Sequence, residues 1–298
     1  MNPFSCFRFP AYVYRPQQMI IRLRRQFQTP NESEVVVLPW GHAFSVNPRE
    51  FIGRAIWTQG IFELNVCEVI TRLVGEGETA VDVGANIGFM TSLMARAVGK
   101  TGHVLSFEPH PEIYSRLSAN IARFSLGRSG QVAANQVALS DGEGEDWMGV
   151  DPEVFARNAG TARLREADSK CGQAGFKVRL ATLDSFIAGK QVGLLKIDVE
   201  GAELRVLRGA ERALTEQRVK AIVYEDFHPE SSGIISYLKG FGFSVFYLGG
   251  NVIRPTIHEV SGEGGIVLRG SDENFLAVRD AENTVEVYRR AGWRVFSL

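Results

Sequence analysis

The sequence TAVDVGANIGFMTSLMARAV, residues 79–98, joins a strand pattern, a glycine turn and a helix pattern. Ala80–Val83 is short, apolar and β-branched, which is typical of a buried strand. From Gly88 to Val98 the apolar residues recur on one helical face. Gly84 and Gly88 allow the backbone between them to turn sharply and to approach a ligand closely. The stretch therefore predicts a strand–turn–helix unit with a ligand at the turn.

The alternation of strands and helices continues beyond this unit and predicts an α/β protein. Such alternation is typical of a mostly parallel sheet with helices on both faces. We expect an N-terminal cap segment over residues 1–77, the main domain over 78–280 and a tail over 281–298. The segments predicted are strands at 131–139, 192–199, 220–224, 243–248 and 273–278, a helix at 202–214, and an upstream hairpin of 35–38 with 43–46.

Composition excludes some classes of partner. The 298 residues carry 33 basic and 34 acidic side chains, a net charge of -1 that gives no long-range attraction to nucleic acid or anionic lipid. No apolar run approaches the roughly 20 residues of a membrane span. Cys6, Cys67 and Cys171 lack paired spacing and are interpreted as free thiols of a cytoplasmic protein without a secretory signal. The oligomeric state is not determined by the sequence.

Polar residues follow the predicted strands, where ligands bind in sheets of this kind. Asp82 places a carboxylate beside the glycine turn, which suits a cationic ammonium and disfavours a phosphate. Glu108 lies 24 residues after Gly84, where an acidic side chain can accept hydrogen bonds from two ribose hydroxyls. Pro109 can pack on an adenine face, and Asp141 can accept a bond from an adenine amino group. Together these positions predict an adenosine-containing cofactor.

Several stretches resemble the FkbM family of methyltransferases. The resemblance implies a Rossmann-like class I methyltransferase fold with a seven-stranded sheet, S-adenosyl-L-methionine as cofactor, and a small-molecule acceptor such as a polyketide or sugar that is methylated on a hydroxyl. The matching stretches are VDVGANIGF (81–89), LSFEPHPE (105–112), LSAN (117–120), VALSD (137–141), Asn158-Ala159-Gly160, TLDSF (182–186), LKIDVEGAELRVLRGA (195–210) and VYEDFH (223–228).

The resemblance also implies roles for individual residues. Glu108 would hold the ribose, and Asp198 would lie between cofactor and acceptor. The other cofactor positions are Asp82, Gly84 and Asn86 at the methionine end, with Gly88 closing that turn, and Ser140 and Asp141 near the adenine.

Methyl transfer to a hydroxyl requires an oriented acceptor and a group that takes its proton. Asp198, Glu225 and His228 are the candidate bases, and the sequence leaves the choice among them open. With Glu200 and Glu203, the same side chains could ligate a hard cation such as magnesium. Acidic residues near a helix start also stabilise the helix dipole, and this simpler role is favoured, so no metal site is predicted.

Two other functions share parts of this pattern. A nicotinamide-dependent oxidoreductase also uses a strand, glycines and an acid, but the GxGxxG pattern is missing at residues 84–89. A non-catalytic cofactor-binding protein is disfavoured because every candidate cofactor position carries a chemically competent residue. A nucleic-acid methyltransferase is disfavoured by the balanced charge.

Overall fold

The computed structural model describes residues 9–125, 130–149, 163–164, 175–260 and 273–298. Cys6, Cys171 and the Asn158–Gly160 stretch therefore lie outside the described residues. Before the main sheet, the chain forms short helices and the predicted antiparallel hairpin. These elements are α1 (Pro10–Tyr14), α2 (Pro16–Arg25), β1 (Glu34–Val37), β2 (Ala43–Val46), α3 (Phe51–Gln59) and α4 (Leu64–Leu73).

The remaining strands build a large sheet and a small one. In chain order they are β3 (Thr79–Val83), β4 (His103–Phe107), β5 (Gln131–Asn135), β6 (Ala138–Leu139), β7 (Gly144–Gly149), β8 (Arg163–Leu164), β9 (Gly175–Ala181), β10 (Val192–Ile197), β11 (Val219–Glu225), β12 (Ser244–Gly250), β13 (Pro255–Glu259) and β14 (Asn274–Val278). The large sheet has the order β13-β12-β14-β11-β10-β3-β4-β5, and the small one β6-β9-β7-β8. The helices after β3 are α5 (Phe89–Ala97), α6 (Pro111–Phe124), α7 (Leu183–Ile187), α8 (Glu203–Arg208), α9 (Glu211–Thr215), α10 (Ile234–Gly240) and α11 (Ala281–Arg289).

The large sheet is mostly parallel and buried on both faces, as predicted. The pairs from β5 through β11 are parallel, and β14, β12 and β13 pair antiparallel. Neighbouring residues of one strand enter opposite cores, because side chains alternate along a strand. Ala80 and Leu194 belong to the core shared with α4 and α5, whereas Val81 and Leu195 belong to the core shared with α8 and α10.

Three expected elements differ from the structure. The large sheet has eight strands rather than seven, because β13 extends its edge; β13 starts at Pro255 and is partly exposed, so it lacks an apolar pattern. The strand expected over 131–139 divides, since β6 leaves the large sheet to pair with β9. The helix expected over 202–214 divides at Gly209, where a Cβ atom would lie 2.0 Å from the Ser140 carbonyl oxygen.

The segments at both chain ends pack on the main sheet. Trp40 and Trp57, the tryptophans of the N-terminal segment, are buried in the core that also contains Val104 and Leu276 of the sheet. The expected tail forms α11 and a 3-10 turn over Arg294–Ser297. The division at residues 77 and 280 stays a prediction. No helix in the described ranges is long and apolar enough to cross a bilayer.

Candidate active site

A cavity of about 700 Å³ lies at the carboxyl ends of the parallel strands. Ligands of doubly wound α/β folds bind at this edge of the sheet. The cavity collects residues that follow β3, β4, β10 and β11, which are far apart in sequence. Among the predicted site residues, those that line it are Gly84, Asn86, Glu108, Pro109, Asp198 and Glu225.

The glycine turn after β3 forms one wall. Gly84 has φ of +74°, and a Cβ atom there would lie 1.7 Å from the carbonyl oxygen of Asp198. Only glycine therefore allows the turn after β3 to touch the turn after β10. Asn86 also has a positive φ, of +49°, and its side chain accepts a hydrogen bond from the Ile87 amide. The wall is thus a tight backbone surface that exposes main-chain atoms to a ligand.

Glu108 is held at the end of β4 by two main-chain amides. Its Oε2 accepts from the Asn86 amide at 3.0 Å, and its Oε1 accepts from the His110 amide at 2.9 Å. The residue is only 7% exposed, and burial raises the pKa of its carboxyl to about 7. Each carboxylate oxygen can accept more than one bond. Both oxygens can therefore also accept from a bound diol.

Lys196 lies behind the glycine turn and was not predicted as a site residue. Its ammonium donates to the Gly84 carbonyl at 2.9 Å and lies 3.4 Å from Asp82 Oδ1 and 3.2 Å from Asp198 Oδ2. The lysine is 4% exposed, and its strand pairs it directly opposite Asp82. Thr91 donates to the other oxygen of Asp82 at 2.5 Å. One buried cation thus ties together the turns that carry Gly84 and Asp198.

Glu225 ends β11 and faces a concentration of negative charge. Burial raises the pKa of its carboxyl to about 8, and the carboxylates of Asp198, Glu63 and Glu200 add to the rise. No short hydrogen bond of Glu225 to a basic side chain occurs among the described residues, whereas Asp198 is paired with Lys196. Glu225 is therefore suited to take up a proton near neutral pH.

Several predicted residues do not line the cavity. Asp82 is fully buried beneath the turn, and Ser140 is fully buried between strands. Asp141 lies outside, where it accepts from Arg205 at 3.2 Å. Gly88 starts α5, and a Cβ atom there would lie 2.7 Å from Leu117 Cδ1, so this glycine serves helix packing. A role for these four residues in binding the cofactor stays a prediction.

His228 is also outside the cavity and exposed to solvent. The turn after β11 is organised by Asp226, which accepts from the His228 amide at 2.9 Å and from Ser232 Oγ at 2.6 Å. This turn brings Phe227 to the cavity and leaves His228 beyond it. His228 is thus not among the residues that line the cavity, and its role as a candidate base stays a prediction.

Glu203, which starts α8, takes a structural position. Glu203 accepts from the Gly201 amide at 3.0 Å and from the Val199 amide at 3.3 Å, so it stabilises the turn before α8. Across the described residues, no group of three histidine, cysteine, aspartate or glutamate side chains could hold a metal ion.

Sequence reasoning missed other cavity residues, and apart from Phe227, which lies in the VYEDFH stretch, no motif marks them. Many of them come from the segment before β3, from the chain after β12 and from the C-terminal turn. A signal was present only in the aromatic content of those segments. The missed residues are Phe9, Phe51, Phe62, Glu63, Phe227, Asn251, Glu273 and Trp293.

The residues present fit an adenosine-containing methyl donor. Glu108 offers acceptors for a diol, the turn at Gly84 offers close backbone contact, and Pro109, Val137 and Leu139 form an apolar wall suited to a purine. Fold and site together define a Rossmann-like class I methyltransferase that uses S-adenosyl-L-methionine.

Comparison with known proteins supplies the family. The model of the methyltransferase FkbM domain matches residues 82–245, more than half of the chain. The chain belongs to the FkbM methyltransferase family, as its motifs predicted. It is 32% identical over 198 residues to the 31-O-demethyl-FK506 methyltransferase FkbM of Streptomyces tacrolimicus, covering 57% of this chain and 74% of that protein.

Two further likenesses are weaker. The hexuronic acid methyltransferase AglP of Haloferax volcanii is 28% identical over 185 residues, which cover 61% of this chain and 69% of that protein. A solved SAM-dependent O-methyltransferase of Thermotoga maritima is 14% identical, with a TM-score of 0.42, over 86% of this chain and 81% of that one. A structural likeness at that level does not bear on activity.

Proposed function

We propose that the protein transfers the methyl group of S-adenosyl-L-methionine to a hydroxyl oxygen of a small metabolite, with Glu225 as the general base. The observation that carries this proposal is the position of Glu225 in the cavity, next to the turn of Asp198 and with a carboxyl pKa raised to about 8 by burial. A hydroxyl acceptor must lose a proton during the transfer, and a carboxylate with this pKa can accept it.

The other candidate bases are less suitable. Asp198 forms an ion pair with the Lys196 ammonium at 3.2 Å, so its carboxylate is already engaged within the protein. Its role in the proposal is to orient groups between cofactor and acceptor. His228 does not line the cavity. Among the described residues, Glu225 lines the cavity and forms no ion pair, and the Lys196 charge lowers its pKa less than burial and the neighbouring carboxylates raise it.

The cofactor is assigned to the end of the cavity near β3 and β4. When bound, S-adenosyl-L-methionine supplies a methyl group that its sulfonium has already activated. Glu108 would accept hydrogen bonds from the ribose hydroxyls, the Gly84–Asn86 turn would hold the methionine end, and the wall at Pro109 and Leu139 would cover the adenine. Lys196 keeps the turns of Gly84 and Asp198 in register for this task.

The choice of oxygen as the methylated atom rests on two supports. The chain is similar to a relative whose name describes a methyltransferase for a demethylated oxygen of FK506. The half-buried carboxyl group of Glu225 also suits an acceptor whose nucleophile must be deprotonated, as a hydroxyl must. The acceptor is therefore proposed to be a hydroxylated natural product or sugar.

The test combines cofactor binding with turnover. S-adenosylhomocysteine is titrated calorimetrically, and hydroxylated polyketides and sugars are then screened for methyl transfer from labelled cofactor. With an acceptor found in this way, Glu225→Gln should lower kcat by roughly 10²–10⁴-fold. The affinity of this variant for S-adenosylhomocysteine should be nearly unchanged. The kcat of the unaltered protein should rise with pH through about 8, because the base must be deprotonated.

Glu230→Gln provides the control, because Glu230 is exposed and does not line the cavity. It should leave both turnover and cofactor binding unchanged. Full turnover in Glu225→Gln would eliminate Glu225 as the base. A product methylated on nitrogen or carbon would refute oxygen transfer, whatever the behaviour of the variant.

A further inference from the structure

The half of the cavity away from the cofactor end is built from segments outside the family domain of residues 82–245. Its walls come from α1, from the start of α3 and the α3–α4 connection, from the end of β12 and from the C-terminal turn. They are largely aromatic: the rings of Phe51 and Phe62 meet edge to face with centroids 6.2 Å apart. Because the family domain is proposed to supply the cofactor end, these segments form much of the remaining wall that an acceptor would contact.

Trp293 is the largest side chain on this wall. It is 3% exposed, and its indole Nε1 donates to the Asn251 carbonyl at 3.0 Å. A Cβ atom at Gly250 would lie 2.8 Å from two atoms of the indole ring, so the glycine leaves room for the ring to pack against the end of β12. The orientation of the indole is therefore fixed both by a hydrogen bond and by close packing.

The main chain that carries Trp293 is held by a buried ion pair on α4. Arg72 Nε lies 2.6 Å from Glu68 Oε1, and both side chains are fully buried. Glu68 accepts from the amides of Arg294 at 2.9 Å and Val295 at 3.1 Å.

Arg72 makes the complementary contacts on the same segment. It donates to the carbonyls of Val287, Arg290 and Gly292, the last at 2.8 Å. The polar atoms of the ion pair thus form hydrogen bonds with main-chain groups on both sides of Trp293. A buried ion pair costs desolvation and is better explained by the geometry it enforces than by stability.

We propose that Trp293 is a specificity-determining residue that selects a flat, apolar, hydroxyl-bearing acceptor, and that the Glu68–Arg72 pair positions it. This inference rests on the proposed methyl transfer, for which it names the acceptor class. Trp293 and the Phe51–Phe62 pair line the same cavity, and such aromatic walls give a planar ring more contact than a puckered one, since stacked and edge-on aromatic contacts add to simple burial.

The experiment uses two probes of the same size and different shape. 2-Naphthol is planar, and decahydro-2-naphthol is its saturated, non-planar counterpart. Each is titrated calorimetrically into the full chain saturated with S-adenosylhomocysteine, and again without it. The unaltered protein should bind 2-naphthol several-fold more tightly, and Trp293→Leu should weaken 2-naphthol roughly tenfold and abolish the preference.

The controls separate this role from folding. Trp147→Leu removes a half-exposed tryptophan of β7 that does not line the cavity, and it should keep the preference. Arg72→Lys keeps the charge but cannot make all the carbonyl bonds, and it should reproduce the loss of preference with S-adenosylhomocysteine affinity unchanged. If Arg72→Lys fails to fold, the two tryptophan variants still decide the role of Trp293.

Two results would overturn the inference: failure of 2-naphthol to bind at any concentration up to its solubility, or a preference that survives Trp293→Leu. Failure of the proposed function has a different signature. In that case S-adenosylhomocysteine itself does not bind, whereas the naphthol titration of the cofactor-free protein still reports on the wall.

Discussion

Two carboxyl groups of the cavity, Glu108 and Glu225, have raised pKa values and different surroundings. Glu108 is oriented by two main-chain amides, which partly offset the effect of burial. Glu225 lies among other carboxylates, which add to the effect of burial. The first arrangement suits a fixed hydrogen-bond acceptor, and the second suits a group that changes its protonation state.

Glu108→Gln should weaken the binding of S-adenosylhomocysteine by roughly 10–100-fold, because hydrogen bonds to a charged acceptor contribute about 1.5–3 kcal/mol. In the unaltered protein the affinity should increase as pH rises through about 7, since the ionised carboxylate accepts from both ribose hydroxyls. The glutamine variant should lose this pH dependence. Calorimetric titration across that range measures both effects.

Glu112→Gln is the matched control, because Glu112 is exposed in the first turn of α6. Its affinity and pH dependence should equal those of the unaltered protein. An affinity in Glu108→Gln that matches the control would show that the ribose is held elsewhere.

At the scale of elements, β3 and β10 act as one unit. Their register sets Lys196 opposite Asp82, so the lysine reaches both the turn that follows β3 and Asp198 after β10. The close approach at Gly84 needs the same alignment. The shape of the cofactor end therefore depends on a buried cation between two strands and on a glycine at their exit.

Lys196→Met should lower the free energy of unfolding by about 3–5 kcal/mol, because Asp82 would be left buried without its cation. The binding of S-adenosylhomocysteine should also weaken, since the Gly84 carbonyl loses the hydrogen bond from Lys196. Urea unfolding followed by circular dichroism measures the first effect, and calorimetry the second.

Lys220→Met serves as the comparison. Lys220 pairs with Glu78 on the surface, with 60% of its side chain exposed, so its removal should cost about 1 kcal/mol or less. If the two variants lost the same free energy of unfolding, the contacts of Lys196 would contribute no more to stability than an ordinary surface ion pair.

At the scale of the whole molecule, charge is unevenly distributed. The net charge is only -1, yet no lysine, arginine or histidine from the described ranges lines the cavity. The carboxylates that line it are Glu63, Glu108, Asp198, Glu200, Glu225 and Glu273. A low-dielectric chamber of this sign attracts a cationic donor and opposes an anionic acceptor.

6-Hydroxy-2-naphthoate should therefore bind the S-adenosylhomocysteine-loaded protein at least roughly tenfold more weakly than 2-naphthol, owing to repulsion between carboxylates at short range. Competition between the two compounds, followed by calorimetry, measures the difference. Glu273→Gln should reduce this difference in affinity, because it removes one carboxylate from the cavity. Glu282→Gln should leave the difference unchanged, because Glu282 lies on the first turn of α11 and does not line the cavity. Tighter binding of the naphthoate would contradict the electrostatic argument.

Local sequence determined the α/β class, the glycine turn and the position of Glu108. These features follow from periodicity and from residue types within one strand–turn–helix unit, where neighbours in sequence are neighbours in space. The order of such units along the chain also placed Asp198 and Glu225 at the same sheet edge. Family motifs then identified the methyl donor.

Only the tertiary structure decided which of these side chains meet. Lys196 donates to the carbonyl of Gly84, 112 residues away in sequence, and Glu68 accepts from the amide of Val295, 227 residues away. No local sequence pattern encodes such contacts. The turn capped by Asp226 decided that His228 lies outside. A side chain at the end of a strand can face either way, and long-range packing selects its direction. The sequence therefore determined the residues proposed to hold the cofactor, whereas long-range packing of the chain ends determined the wall around Trp293 that is proposed to contact the acceptor.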